Sequence, residues 1–243
     1  MRLKYDWHTH TTYSHGKGSI ADNVKAAYEI GLESIAIADH GPGHFGFGFK
    51  RSDIERMRAD IDELQPLYPD MKIYLSAEAN IINSSGELDI NGVEQGKFDF
   101  ILAGYHFGTI GENPAKSIVL HAKNLLNGKT GRWPSKLVLE NTELLVKALY
   151  NNKISILTHP GDKGAVFIEE VAKACAAKGT LMEISNHHLH LTVDDIKICA
   201  GYDVKFIIGS DAHKPENVGR FDVAYKKISE AGLDPERVVN LQI

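Results

Sequence analysis

Residues 3–10 read LKYDWHTH, and they set a pattern that the rest of the chain repeats. A short strand candidate in this stretch ends in a pair of histidines, His8 and His10. An amphipathic helix candidate follows at 20–32, where apolar residues recur at helical spacing. The next strand candidate, 34–38, again runs into polar residues at its end. The order of strand, polar strand end and helix is typical of a βαβ unit.

The same alternation continues to the end of the chain. Further strands are predicted at 72–77, 98–103, 154–158, 180–185 and 204–209. Helices are predicted at 53–64, 166–178, 192–200 and 218–231, with helical patterns also at 117–126 and 135–150. Ser19, Ser52 and Thr192 are predicted as helix caps. Alternating strands and helices indicate a parallel sheet, and seven such units predict an α/β fold, a distorted TIM-like (β/α)7 barrel. No linker composition interrupts the chain, so residues 1–243 are predicted to form one domain.

The composition narrows the class of protein. The chain has 243 residues, 43% hydrophobic and 24% charged, with a net charge of −5, which is typical of a globular protein. It contains no run of apolar residues long enough to span a membrane and no signal-peptide pattern, so no membrane partner is expected. Cys175 and Cys199 cannot build a disulfide framework, and a cytoplasmic location is expected. The acidic balance disfavours long nucleic acids. The sequence does not indicate an oligomeric state.

The 12 histidines are not scattered along the chain. Many of them follow predicted strands, together with acidic residues and an asparagine: His8, His10, His40, Glu78, His106, His159, Asn186, Asp211 and His213. Because the C-terminal ends of the strands of a barrel face one mouth, we expect these side chains to converge there. The sequence therefore predicts a metal site at the C-terminal ends of the strands.

The residue types indicate the kind of metal. Residues i and i+2 of an extended chain point to the same side, so His8 and His10 can bind one ion together. A carboxylate such as Glu78 can bridge two cations, which a neutral imidazole cannot do. Imidazoles with a few carboxylates suit Zn²⁺, Mn²⁺ or Fe better than Ca²⁺ or Mg²⁺. The absence of cysteine ligands favours a catalytic site over a closed structural zinc site.

Four motifs carry a family resemblance. Residues 6–16 (DWHTHTTYSHG), 38–42 (ADHGP), 158–160 (THP) and 209–213 (GSDAH) resemble, in this order, motifs of the PHP (polymerase and histidinol phosphatase) phosphoesterases. The chain is most similar to the small stand-alone bacterial members of that family. The resemblance implies a distorted seven-stranded barrel with three divalent metal ions, with zinc expected first and manganese or iron as alternatives.

The resemblance also implies a set of ligands for each metal ion. The first ion would take His8, His10, Glu78 and Asp211. The second would take Glu78, His106 and His159. The third would take His15, His40 and His213. His15 stands where many members of the family have aspartate, which leaves the identity of the third metal open.

The implied activity is hydrolysis of a small phosphate monoester, a phosphorylated metabolite, by a metal-activated water held by Glu78 and Asp211. Three alternatives remain open. They are a phosphodiesterase or nuclease that acts on nucleotides or short nucleic acid, a histidinol-phosphatase of histidine biosynthesis, and a non-catalytic metal-binding module. The sequence does not select a general acid for the leaving group.

Several residues on predicted loops are candidates at the rim of the site. The candidates for binding the substrate are Lys17, His44, Arg51, Arg132 and Asn186. Residues 41–52 are predicted to form a flexible aromatic lid that shields the site or contacts the organic part of the substrate, with a plain surface loop as the alternative. Their GxGxxG spacing does not indicate a dinucleotide site, because no helix begins within it. Residues 187–190 contain three histidines and are predicted as a solvated loop, with an accessory site as the alternative. His121 is predicted to be structural.

Overall fold

The computed structural model describes residues 1–111 and 114–242. The strands are β1 (Arg2–Leu3), β2 (Tyr5–Thr9), β3 (Ser34–Ile37), β4 (Lys72–Asn80), β5 (Phe100–Gly104), β6 (Ile156–Leu157), β7 (Leu181–Ser185), β8 (Phe206–Gly209) and β9 (Leu241–Gln242). The helices are α1 (Ile20–Glu29), α2 (Ile54–Leu64), α3 (Gly92–Gln95), α4 (Pro114–Thr130), α5 (Ser135–Asn151), α6 (Ile168–Lys178), α7 (Val193–Ala200) and α8 (Asp222–Ala231).

Seven strands, β2 to β8, form one parallel sheet in the order of the chain. The sheet is nearly closed, because Thr9 at the end of β2 forms a parallel bridge with Ala212, just beyond β8. The backbone N–H of His10 donates to the carbonyl of Ala212 at 2.8 Å in the same seam. The predicted distorted (β/α)7 barrel is confirmed. The antiparallel pair of β1 and β9 lies outside this sheet and was not predicted from the sequence.

Two of the three predicted helix caps, Ser19 and Thr192, are present in the structure. Ser19 accepts a hydrogen bond from the backbone of Asp22 at the start of α1, and Thr192 caps α7 through Asp195 in the same way. The prediction that Ser52 caps α2 is wrong. A 3-10 turn at Arg51–Asp53 precedes α2. The N-cap residue of α2 is Asp53, and its side chain makes no capping hydrogen bond. No helix among the described residues is long and apolar enough to cross a membrane.

Alternate side chains of the barrel strands pack into two separate apolar cores, one on each face of the sheet. On β4, Ile73, Leu75 and Ala77 belong to the large core between barrel and helices. Inside the barrel lies a second, smaller core built from Ala38, Leu102, Ile156 and Ile207. Because alternate residues of a strand face opposite sides, the even-numbered residues of β4 point into the barrel.

A bulge in β2 interrupts this alternation beside His8, one of the residues at the mouth of the barrel. The register between β2 and β3 shifts between Asp6 and Thr9. Trp7 contacts the ring of Tyr74, at 5.9 Å between centroids, and His8 Nε2 lies 3.4 Å from Glu78 Oε2. Tyr74 and Glu78 share one face of β4, so the consecutive residues Trp7 and His8 both point into the barrel. Bulges of this kind re-aim side chains next to functional sites.

The long connection between β5 and β6 contains α4 and α5, as its helical patterns predicted. The two helices are joined by mutual hydrogen bonds between the amides of Asn124 and Asn141, each 2.9 Å long. His121 on α4 lies 2.8 Å from the hydroxyl of Tyr105 and 2.8 Å from the carbonyl of Thr109. These contacts fit the structural role that was predicted for His121.

Candidate metal centre

Glu78 lies at the middle of the mouth of the barrel and is fully buried. Its Oε1 atom is 3.2 Å from His106 Nε2 and 3.0 Å from His159 Nε2. The two imidazole nitrogens are themselves 3.3 Å apart. The three side chains come from β4 and from the ends of β5 and β6. They form a compact group of one carboxylate oxygen and two nitrogens, which is a donor set that divalent transition metals prefer.

The second oxygen of Glu78 faces another part of the cluster. Glu78 Oε2 is 3.4 Å from His8 Nε2, 3.7 Å from His10 Nε2 and 2.9 Å from His40 Nδ1. Asp211 Oδ1 completes this side, 3.1 Å from His10 Nε2 and 3.8 Å from His8 Nε2. Glu78 therefore has one oxygen directed at each of two neighbouring groups of ligands.

A third group lies toward the rim of the mouth. The ligand atoms of His10, His40 and His213 are all within 4.8 Å of one another. The ring of His15 stacks on that of His40 with centroids 4.9 Å apart, and it meets the ring of His213 at 4.2 Å. We refer to the nine side chains as the candidate metal centre: His8, His10, His15, His40, Glu78, His106, His159, Asp211 and His213.

The hydrogen bonding of this centre fits divalent cations. Several of its buried side-chain atoms have no hydrogen-bond partner within the described chain: His10 Nδ1, His15 Nδ1, His40 Nδ1, Glu78 Oε2 and Asp211 Oδ1. His40 Nδ1, Glu78 Oε2 and Asp211 Oδ1 have imidazole or carboxylate neighbours at short distance, but not in hydrogen-bonding geometry. Buried polar groups without partners are costly, and their concentration in one place is expected where metal ions complete the site.

The protonation preferences of the imidazoles suit metal binding. Burial, together with the nearby His40, lowers the pKa of His10 well below its ordinary value. Burial likewise lowers the pKa of His106 to about 3 and, with His213 and His40, that of His15 to about 4. These imidazoles are therefore neutral near pH 7, which is the form that binds a metal ion. His8 differs, because Glu183, Glu78 and Asp211 outweigh the effect of burial and raise its pKa.

Burial on its own would raise the pKa values of the two carboxylates of the centre. The surrounding histidines outweigh that effect and lower the pKa of both Glu78 and Asp211 well below the ordinary range. Both groups are therefore carboxylates at neutral pH, as metal ligands must be.

Neighbouring polar groups orient the imidazoles. Glu183 Oε1 lies 2.5 Å from His8 Nδ1, and Glu183 Oε2 accepts the backbone N–H of His159 at 2.8 Å. The Nδ1 atom of His106 is 2.8 Å from the amide oxygen of Asn80. In His8 and His106 the Nε2 atom remains directed at the centre, which is the usual arrangement behind metal-binding histidines.

Two features of the backbone allow this density of side chains. A Cβ atom built on Gly209 would lie 2.0 Å from Glu183 Oε1 and 3.1 Å from the Cβ of His8, so only glycine fits there. His159 and Asp211 adopt positive φ angles of 26° and 52°. Such backbone conformations cost about 1–3 kcal/mol in residues other than glycine, and they concentrate at functional sites.

The structure brings two of the candidate substrate-binding residues near the centre. The ring of His44 is 5.5 Å from that of His40 and 6.5 Å from that of His106, measured between centroids. Lys17 is exposed, and its backbone N–H donates to the carbonyl of His213 at 2.8 Å.

The structure gives different surroundings to the other three candidate substrate-binding residues, whose role stays a prediction. Arg51 is held by the carboxylate of Glu94 and the carbonyl of Asp89, both at 2.6 Å. The amide oxygen of Asn186 accepts two backbone N–H groups at the start of α8, so it caps that helix. Arg132 is exposed in the connection between α4 and α5. Loop position alone could not reveal these partners.

The loop 41–49 covers one side of the centre. Its backbone pairs with residues beyond β5 through a bridge between His44 and Thr109. The ring of Phe47 lies 4.8 Å from that of His15, between centroids, and is half exposed. Phe45, on the same loop, is 80% exposed. No helix begins within residues 41–50, and the next helical element is the 3-10 turn at Arg51–Asp53, which agrees with the prediction of a loop here.

The sequence interpretation missed two residues at the mouth. Glu183 had a recognisable signal, because it is a lone acid inside an otherwise apolar strand, β7. His188 had a weaker one, since it belongs to a histidine-rich stretch that was expected to be a solvated loop. In the structure only 20% of its side chain is exposed, and its ring lies 4.4 Å from that of His159.

Comparison with known proteins agrees with this architecture. The model of the PHP domain family matches residues 6–187. The chain belongs to the PHP domain family. Two bacterial relatives of this PHP protein are both named probable phosphatases. The relative from Acetivibrio thermocellus is 28% identical over 100% of this chain and 93% of its own. The relative from Clostridium botulinum is 30% identical over 99% of this chain and 91% of its own.

A solved structure of similar fold supports the PHP barrel. It is the histidinol phosphate phosphatase of Lactococcus lactis, complexed with zinc, L-histidinol and phosphate. It superimposes with a TM-score of 0.60 and 17% sequence identity, over 96% of this chain and 95% of the other. At this level of identity the similarity establishes the fold.

Proposed function

We propose that this PHP protein is a metal-dependent phosphatase that hydrolyses a small phosphate monoester at three divalent cations. The observation that carries the proposal is the position of Glu78, whose two oxygens lie within 3.7 Å of five imidazoles. A buried carboxylate with so many imidazoles around it is suited to bridge cations. The predicted class of enzyme, a hydrolase of phosphoric esters, agrees with the family and with the names of its relatives.

We assign the ligands as the resemblance implied, because the three geometric groups overlap with the three implied sets. One ion would be held by His8, His10, Glu78 and Asp211. A second would be held by Glu78, His106 and His159. The third would be held by His15, His40 and His213. Zinc is proposed first, since nitrogen-rich sites suit it and the Lactococcus lactis enzyme was solved with zinc.

Divalent cations bound here would supply positive charge to the phosphate oxygens and increase the acidity of water. The chain itself supplies the arrangement that this chemistry needs. Glu78 and Asp211 are buried, which concentrates their charge in a site of low dielectric constant. Both cysteine thiols are buried within α6 and α7. A cysteine nucleophile therefore has no place in this proposal, and direct attack by water is proposed.

The substrate class is also a proposal. Divalent cations bound at the candidate metal centre would make the mouth locally positive on a chain of net charge −5, which suits a small anion. Histidinol phosphate is one candidate substrate, motivated by the ligands of the Lactococcus lactis enzyme. We further propose that residues 1–243 work as one cytoplasmic domain, since the proposed ligands extend from His8 to His213.

The test is a panel of phosphomonoesters and phosphodiesters assayed with Zn²⁺, Mn²⁺ and Fe²⁺. The panel includes histidinol phosphate, sugar phosphates, nucleotides and a short oligonucleotide. We expect monoesters to be hydrolysed and diesters to be hydrolysed much more slowly. Metal content is measured in parallel by elemental analysis, and about three ions per chain are expected.

Two results would overturn this function. Cleavage of diesters alone would replace the monoesterase by a phosphodiesterase. Full metal loading without hydrolysis of any ester on the panel would favour a non-catalytic metal-binding module. Removal of the metal by a chelator, followed by its return, is the control that links activity to the ions.

A further inference from the structure

His188 lies between two carboxylates at the edge of the candidate metal centre. Its Nδ1 atom is 3.2 Å from Asp162 Oδ2, and its Nε2 atom is 3.0 Å from Asp211 Oδ2. Both ring nitrogens therefore face carboxylate oxygens, and the ring spans the gap between the loop after β6 and the loop after β8. The resemblance to the family assigned no role to either His188 or Asp162.

Asp211 presents a different oxygen to each side. Its Oδ1 atom faces the centre, 3.1 Å from His10 Nε2 and 3.5 Å from His213 Nδ1. Its Oδ2 atom faces outward, toward His188. A carboxylate that binds a metal through one oxygen can rotate about its Cβ–Cγ bond unless the other oxygen is held. The contact with His188 restricts that rotation.

The support behind His188 is itself firmly held. The backbone N–H of His188 donates to Ser185 Oγ at 3.0 Å, and its carbonyl accepts a hydrogen bond from the buried Lys227 at 2.7 Å. Asp162 is also tied down, because Lys163 Nζ lies 2.5 Å from its Oδ2 atom. The side chain of Asp162 is only 11% exposed. These contacts hold the backbone of His188 and place Asp162 beside its ring, on the side away from Asp211.

We propose that His188, held by Asp162, is a positioning residue that fixes Asp211 in the orientation needed for metal binding. The proposal rests on the proposed function in one respect, namely that Asp211 is a metal ligand. Removal of a group that orients a metal ligand typically lowers metal affinity by about 10–100-fold. Asp211 also carries a positive φ angle of 52°, a conformation that persists only when the surroundings hold it.

The experiment compares metal affinity among single variants of the 243-residue chain, by competition with a chromogenic zinc chelator. His188→Ala is expected to lower the affinity for the zinc ion held by Asp211 by about 10–100-fold. The number of ions bound at saturating zinc is expected to stay the same. His188→Gln can still donate from its amide to Asp211, so it is expected to recover most of the affinity. Asp162→Ala is expected to show a smaller loss in the same direction.

Leu189→Ala is the matched control, because Leu189 belongs to the same loop and is 78% exposed. It is expected to bind zinc like the wild-type protein. The thermal unfolding of each metal-free variant is measured, so that a loss of affinity is not confused with a loss of folding. Unchanged zinc affinity in a folded His188→Ala protein would overturn the proposal.

Two further results would also count against positioning. If His188→Ala loses one bound ion at saturating zinc, His188 is itself a ligand. If Gln is as damaging as Ala, the contact with Asp211 does not carry the effect. Failure of the proposed function is distinguishable, because a wild-type protein that binds no zinc, or that binds zinc without hydrolysing phosphate esters, would show it independently of these variants.

Discussion

The two ends of the barrel interior contrast sharply in chemistry. At the N-terminal ends of the strands lies the aromatic base, formed by Tyr5, Trp7, Tyr74 and Phe100. Tyr5 stacks on Trp7 with centroids 4.2 Å apart, and Trp7 contacts Phe100 at 5.0 Å. At the C-terminal ends, the same strands lead into the candidate metal centre, with its unpartnered nitrogens and oxygens.

A single strand therefore carries residues for stability at one end and residues for the proposed function at the other. On β4, Tyr74 belongs to the base and Glu78 to the centre, only four residues later. Apolar contacts at the base stabilise the fold without any ligand. Unpartnered buried polar atoms at the mouth oppose folding until a partner binds them. Stability is thus expected to depend on the base, and metal binding on the mouth.

Glu78→Gln should have the largest effect on activity. The amide keeps the size of the side chain but removes the charge that we propose to bridge two ions. We expect activity to fall by roughly a thousandfold, comparable to the loss of a main electrostatic group at an active site. Elemental analysis should show fewer bound ions. Wild-type activity in this variant would contradict the proposal that the mouth of the barrel carries the activity through Glu78.

Phe100→Ala tests the other end of the barrel. Loss of its contacts with Trp7 and Tyr74 should lower the free energy of unfolding by about 3 kcal/mol. This value is at the lower end for a phenylalanine in a core, because Phe100 is only partly buried. Urea denaturation of the metal-free protein measures this change. Metal content and activity per folded molecule should stay at the wild-type level. A parallel loss of bound metal would show that the two ends are coupled.

Gly209→Ala should disturb the centre through its neighbours. The added methyl group would meet Glu183 Oε1 at 2.0 Å and would displace it from His8. Metal affinity should fall by about 10–100-fold, as measured by chelator competition. Gly92→Ala is the control, since a Cβ at Gly92 meets nothing within 4 Å. Equal affinities in the two variants would argue against a role for Glu183.

Phe47→Ala should have the smallest effect. Its ring lies beside His15 and is placed to contact the organic part of a substrate. Loss of such an aromatic contact costs about 1 kcal/mol, or roughly fivefold in KM. The rise should be confined to aromatic phosphomonoesters, with small aliphatic ones unaffected. Phe45→Ala, a more exposed residue of the same loop, serves for comparison. Equal changes for both substrate types would contradict this role.

Much of the fold and of the centre was predictable because local pattern carries it. The seven parallel strands and the helices between them follow from apolar periodicity. Their polar ends converge because a parallel barrel brings all C-terminal strand ends to one mouth. The partners of Arg51 and Asn186 were not predictable, since Glu94 and the start of α8 approach them only in three dimensions.

Apolar periodicity and the order of the polar motifs are enough to predict the barrel, its family and the side chains at its mouth. The direction of those side chains depends on contacts that form only in the folded chain. The bulge in β2 turns both Trp7 and His8 into the barrel, where strict alternation would send them to opposite faces. Likewise, only the folded chain places His188 against Asp211. Periodicity reports the direction of side chains within a regular strand, whereas bulges and loop contacts depend on residues distant in the sequence.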